Sequence, residues 1–275
     1  MKQVHDGATL ASVVPPNRRW MAAAGAGAGV GVLGGMIGLG GAEFRLPLLI
    51  GMFGFLALQA VIVNKALSLI VVATALPARL VSVPLAELAP HWSIVVNLLA
   101  GSLVGAYLGA TWATRMATRT LYRVLAVLLV LIAVALLATH LGHVQPADLD
   151  GPAQAIAGVL AGAGIGIVAA LMGVAGGELL IPAIVLLYGM NIKIAGSLSL
   201  AVSLPTMLVA FARYSRDKSF TVLAANKTFV LAMAAGSIIG TVAGGALLGV
   251  VPAAVLVPLL ALLLLLSARK VWQHG

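Results

Sequence analysis

Two glutamates stand where an apolar chain should have none. Of the seven acidic residues, Asp6, Glu87, Asp148, Asp150 and Asp217 fall in predicted tails and loops. Glu43 and Glu178 instead lie inside glycine-rich interruptions of apolar sequence, GLGGAEFRLP at 38–47 and GVAGGELLIP at 173–182. The second copy follows the first by 135 positions, so that Gly38, Gly41, Glu43 and Pro47 match Gly173, Gly176, Glu178 and Pro182. Glycines allow the chain to break, and the helix that follows offers free N–H groups and a positive dipole end, an arrangement that attracts anions. A carboxyl at membrane depth is either a helix cap or a proton carrier. Both readings of Glu43 and Glu178 stand at this point.

Other residues near the two motifs carry weaker signals. Arg45 has Leu180 as its counterpart, and could hold an anionic substrate, pair with Glu43 or snorkel to an interface. Lys65 is expected to snorkel towards the inner face. Asn64, Ser68, Ser197 and Ser199 offer neutral hydrogen bonds, suited to an oxyanion and equally to helix packing. Pro47 and Pro182 are expected in the first turn or so of their helices, where a missing N–H costs least. The five histidines lie in tails or at loop edges and cysteine is absent, so a buried Ser-His pair, thiol catalysis and a metal cluster have no support. GLGGAE lacks the GK[ST] ending of a nucleotide-binding loop. No enzyme and no cofactor are expected.

The elements that must position these residues are membrane helices. The chain has 275 residues, 62% hydrophobic and 8% charged, with a mean hydropathy of +1.14, too little polar surface for a soluble globule. Long runs of Leu, Val, Ala and Gly fit helices, not the short alternating strands of a barrel. Apolar segments are read near 20–37, 44–58, 60–82, 92–113, 121–139, 153–173, 179–190, 193–213, 226–249 and 253–270. The segments after the two motifs, ten to fifteen residues each, reach about 15 to 22 Å against a hydrocarbon core of about 30 Å. They are expected not to span alone, as in the paired broken helices of transporters.

The net charge of +9 is topological and calls for no nucleic acid. With a cytoplasmic N-terminus, Lys2, Arg18, Arg19, Arg115, Arg119, Arg123, Arg213, Arg216, Lys218, Lys227, Arg269 and Lys270 share the inner side, while Arg79 and Lys193 fall outside. The expected organisation is a retained, poorly ordered tail at 1–19, a first repeat at 20–140, an external linker at 141–152 and a second repeat at 153–275. GSLVGAYLGA at 101–110 recurs as GSIIGTVAGG at 236–245, at the same offset of 135. ALSL at 66–69 and SLSL at 197–200 match only with a four-residue gap. Because each half holds an odd number of segments, an inverted repeat follows. The G-xxx-G triplets at 27–35, 101–109, 158–166 and 236–244 are read as close helix contacts.

The duplicated glycine-rich stretch followed by proline, together with the G-xxx-G helices, resembles the sulfite exporter TauE/SafE family of membrane permeases from about Trp20 onward. Ala42 and Ala175 each interrupt the family's glycine triplet. The expected fold is all-α and polytopic by composition, with both ends cytoplasmic by charge distribution and with protons as candidate coupling ions through Glu43 and Glu178. The resemblance implies a permease of the plasma membrane that moves sulfite, thiosulfate, sulfoacetate or related organosulfonates by secondary transport. It implies a site at Gly38, Gly40, Gly41, Glu43 and Pro47 with Gly173, Gly176, Gly177, Glu178 and Pro182. An anion channel and an uptake permease stay open beside the exporter. The sequence carries no signal for an oligomeric state.

Overall fold

A chain this apolar must satisfy its backbone within each segment, and helices do so. The structure is a computed structural model and describes residues 16–37, 41–82, 85–141, 149–247 and 253–275. Among these residues there is no strand. The helices are α1 (Pro16–Ile37), α2 (Ala42–Gly51), α3 (Ala57–Ser82), α4 (Leu85–Leu88), α5 (Trp92–Arg115), α6 (Thr118–Leu141), α7 (Gly151–Met172), α8 (Gly177–Tyr188), α9 (Ile192–Tyr214), α10 (Thr221–Ala225), α11 (Lys227–Ala246) and α12 (Ala253–Trp272). Among the described residues seven helices are long and apolar enough to cross a membrane: α3, α4 continuing into α5, α6, α7, α9, α11 and α12. Both α2 and α8 are too short, at about 15 to 18 Å from the helical rise per residue.

The segment expected at 44–58 stops earlier. Met52 and Phe53 N–H both turn to Leu48 O, and Gly54 takes φ +72°, which ends α2 and lets α3 begin at Ala57. Five pairs of helices start 135 residues apart: α1 and α7, α2 and α8, α3 and α9, α5 and α11, α6 and α12. That register needs no gap, so the ALSL/SLSL pairing is corrected. Ser68 corresponds to Ser203, and Asn64 to Ser199.

The glycine triplets are used as helix contacts. A Cβ on Gly27, Gly31 or Gly35 of α1 would meet the backbone of α11 at Met233, Ser237 and Thr241, and Gly236, Gly240 and Gly244 face Ala24, Ala28 and Val32 in return. Gly101, Gly105 and Gly109 of α5 meet Val159, Ala163 and Ile167 of α7 in the same way. Numbers rise together on both sides, so each pair runs parallel. Lipid offers no hydrophobic reward for joining helices, and close backbone approach supplies dispersion and weak Cα–H···O bonds instead. Helices α6 and α12 pack antiparallel, with Arg123 near the start of one stacked 5.6 Å from the Trp272 ring at the end of the other. Helices α3 and α9 are the more buried spans, while Val104, Tyr107, Leu131, Val134, Leu262 and Leu266 face outwards as an apolar belt. The central pair therefore positions the site.

Candidate functional site

Each motif enters its short helix through a left-handed glycine. Gly41 (φ +69°) precedes α2 and Gly176 (φ +84°) precedes α8, in the left-handed conformation that a Cβ resists. Neither helix receives a side-chain cap hydrogen bond. The carboxyls of Glu43 and Glu178 interact with each other and lie beside backbone N–H groups, that of Glu43 itself for one, those of Glu178 and Gly176 for the other. These are approaches and not closed hydrogen bonds: Glu43 Oε2 and both Glu178 carboxylate oxygens are buried without a hydrogen-bond partner. Glu178 as a whole residue is only half-buried, yet its carboxylate oxygens are shut off from solvent.

Pro47 and Pro182 are not in the first turn. Each is the sixth residue of its helix, α2 or α8, where proline removes the N–H that would bond four residues back. The carbonyls deprived of that bond are those of Glu43 and Glu178, one in each motif.

Arg45 neither snorkels nor pairs. It is 0% exposed, and Nε and both Nη atoms have no hydrogen-bond partner. Residues two apart on a helix point to opposite sides, so Glu43 does not reach the guanidinium on its own helix. Its charge is felt electrostatically by both glutamates. An unpartnered buried guanidinium is five donors waiting for an acceptor.

Lys65 overturns the expectation of snorkelling. With α3 starting at Ala57, Lys65 lies about 12 Å along the helix, too deep to reach its end. It is fully buried and donates to Ala169 O (2.9 Å) and Val174 O (2.6 Å). Ala169 lies in the last turn of α7 and Val174 just beyond its end, where a cation also complements the helix dipole. Asn64 Nδ2 donates to Ala42 O and Met172 O, both at 3.0 Å, and so ties the two motifs together. Ser68 donates to Gly173 O (3.2 Å), and Tyr214 to Ala170 O (2.9 Å). The break after α7 is thus held by four side chains from α3 and α9.

Not every predicted residue joins this cluster through its side chain. Ser197 donates to Lys193 O and Ser199 to Gly196 O, within their own helix α9. Gly38 and Gly40 lie outside the described residues. Ala42 contributes its carbonyl to Asn64. Gly177 opens α8, and a Cβ there would find no atom within 4 Å, so free space adjoins the helix start. Sequence reasoning missed Tyr214, an ordinary apolar-helix tyrosine, and misread Lys65, whose nine-residue depth in α3 depended on where that helix began. A separate cavity of about 300 Å³ at the far end of α8 is lined by residues including Ser93, Asn97, Gln154 and Tyr188. None of its lining residues is charged.

The sulfite exporter TauE/SafE family model matches residues 21–271, nearly the whole chain. The chain belongs to the sulfite exporter TauE/SafE family. No curated protein and no solved structure matched it in the corresponding comparisons. As a member of that family the protein is a multi-pass membrane transporter, and the motif cluster is its candidate functional site.

Proposed function

We propose that the protein is a secondary carrier that exports small sulfur-containing anions, such as sulfite, thiosulfate, sulfoacetate or organosulfonates, by alternating access. The carrying observation is Arg45: a guanidinium closed off from solvent, without a partner, beside two carboxyls and two uncapped helix starts. In this reading the oxyanion sits against Arg45 and the N-terminal ends of α2 and α8, in the free space at Gly177. Gly38, Gly40, Gly41, Gly173 and Gly176 shape the two breaks, and Pro47 and Pro182 hold the helices that follow. Asn64 and Ser68 position the motifs, Ser197 and Ser199 line the neighbouring face of α9, and Glu43 and Glu178 exchange protons.

The halves, residues 20–140 and 153–275 joined by 141–152, are proposed to insert in opposite senses, with a cytoplasmic tail at 1–19 and both ends cytoplasmic in the plasma membrane. Support comes from the common 135-residue offset of the helix starts and from the parallel packing of α1 on α11 and α5 on α7. Helices that lead each half thereby pack on the other half, which suits rocking about a shared site.

Counterflow in proteoliposomes tests the function. Labelled sulfite, thiosulfate or sulfoacetate should exchange saturably in wild type, and Arg45→Met should abolish exchange while leaving the protein monodisperse. Conductive flux without counterflow would replace the carrier by a channel, and full exchange by Arg45→Met would remove the anion site from Arg45.

A further inference from the structure

We infer that Lys65 is the second cation of the anion site and that the buried set Glu43, Arg45, Lys65 and Glu178 obliges each negative charge on the substrate to travel with one proton. The inference rests on the carrier reading above and adds its coupling rule.

Four observations carry it. Lys65 and Arg45 are both 0% exposed, and Glu43 is 2% exposed. Lys65 spends two of its three N–H donors on Ala169 O and Val174 O, so one remains, and Glu178 is its charged neighbour. Arg45 likewise acts on both glutamates. Both cations come from the first half, with Leu180 and Leu200 at the corresponding second-half positions, whereas each half supplies one acid. Fully ionised, the set is neutral.

The elements packed around it contribute no further buried charge among the described residues. Helix α7 carries no ionisable residue; Lys193 and Arg213 lie at the ends of α9, Arg269 and Lys270 in the last turn of α12, and Tyr214 donates its hydroxyl to Ala170 O. Uncompensated charge in low dielectric is costly, so an arriving anion must be matched locally. A monoanion is matched when one carboxylate takes one proton. A dianion is matched when both carboxylates take a proton, leaving both cations to face it. Release on the other side returns those protons, and the empty set crosses back ionised and neutral. The cycle is therefore electroneutral for either anion.

Proteoliposomes loaded in turn with sulfite, thiosulfate and methanesulfonate, with the voltage clamped and internal pH followed, test the rule. For every anion that wild type exchanges, net flux should ignore voltage, with two protons accompanying each thiosulfate and one each methanesulfonate. Glu178→Gln should remove one proton from each count and make methanesulfonate flux follow voltage. Lys65→Met should lose dianion exchange at least tenfold more than monoanion exchange, and Lys65→Arg should restore it. Voltage-driven flux in wild type, or one proton count for all anions, overturns the rule while leaving a carrier. Where Lys65→Met does not fold, the Glu178→Gln count decides alone. Absence of exchange for all three anions refutes the carrier reading and this rule together.

Discussion

Three glycines of the second motif, all expected from sequence to serve one role, should respond differently to the same methyl group. Gly173 has φ +70°, and a Cβ there would strike Val61 O of α3. Left-handed backbone costs an L-residue about 1–2 kcal/mol, and a methyl forced into packed surroundings adds about 1–3 kcal/mol. Gly173→Ala should therefore lose roughly 2–5 kcal/mol as the sum of those terms. Gly176 has φ +84° but faces only side chains, Ala169 Cβ at 3.1 Å and Ile165 Cγ2 at 3.4 Å. Its alanine variant carries mainly the conformational cost of about 1–2 kcal/mol. Gly177 is helical with open space beside it, so alanine there should gain about 0.4–1 kcal/mol by restricting the unfolded chain. At roughly 2–4 °C per kcal/mol for a chain of this size class, Gly173→Ala should melt about 4 to 20 °C below wild type. Gly176→Ala should fall between, and Gly177→Ala at or slightly above wild type. Thermal unfolding in detergent followed by size-exclusion fluorescence reads this order. Equal melting of Gly173→Ala and wild type, or a Gly177→Ala loss as large as that of Gly173→Ala, would refute the reasoning. Transport should separate from stability at Gly177, where the added methyl enters the free space and raises the KM for exchange.

Other perturbations test the scaffold. Gly105→Leu in α5 drives a side chain into the α7 backbone at Ala163 and should abolish folded protein, whereas Gly164→Leu, with open space and an exposed position, should express normally; monodisperse yield measures both. Tyr214→Phe removes the donor to Ala170 O and should cost about 0.5–1.5 kcal/mol, seen as a melting shift of a few degrees. Asn64→Leu cuts both clips between the motifs at Ala42 and Met172, leaves two buried carbonyls short of a donor, and should cost more than Tyr214→Phe in the same melt.

Much of this protein is legible in one dimension because its strongest signals are local. Hydropathy marks the helices, since backbone in lipid has few other solutions. The 135-residue offset follows from aligning GLGGAEFRLP with GVAGGELLIP, and Glu43 and Glu178 identify themselves as charges where charge is costly. The glycine triplets announce close contacts for the same local reason.

Which partner each face meets is not local, and the tertiary structure decided it. The triplet of α1 packs on α11 and that of α5 on α7, each crossing between halves, a choice that depends on matching two surfaces far apart in sequence. Arg45 stays unpaired because helix geometry turns it away from Glu43 and burial removes water. Lys65 reads as a snorkelling lysine until α3 is placed against the end of α7, where Ala169 O and Val174 O accept from it and a helix dipole favours a cation. Sequence by itself determined that the chain is an all-helical membrane protein carrying two glycine-rich motifs, each with a glutamate. Only packing decided which charges meet beside those motifs, because an ion's role at depth is set by the neighbours that replace its water.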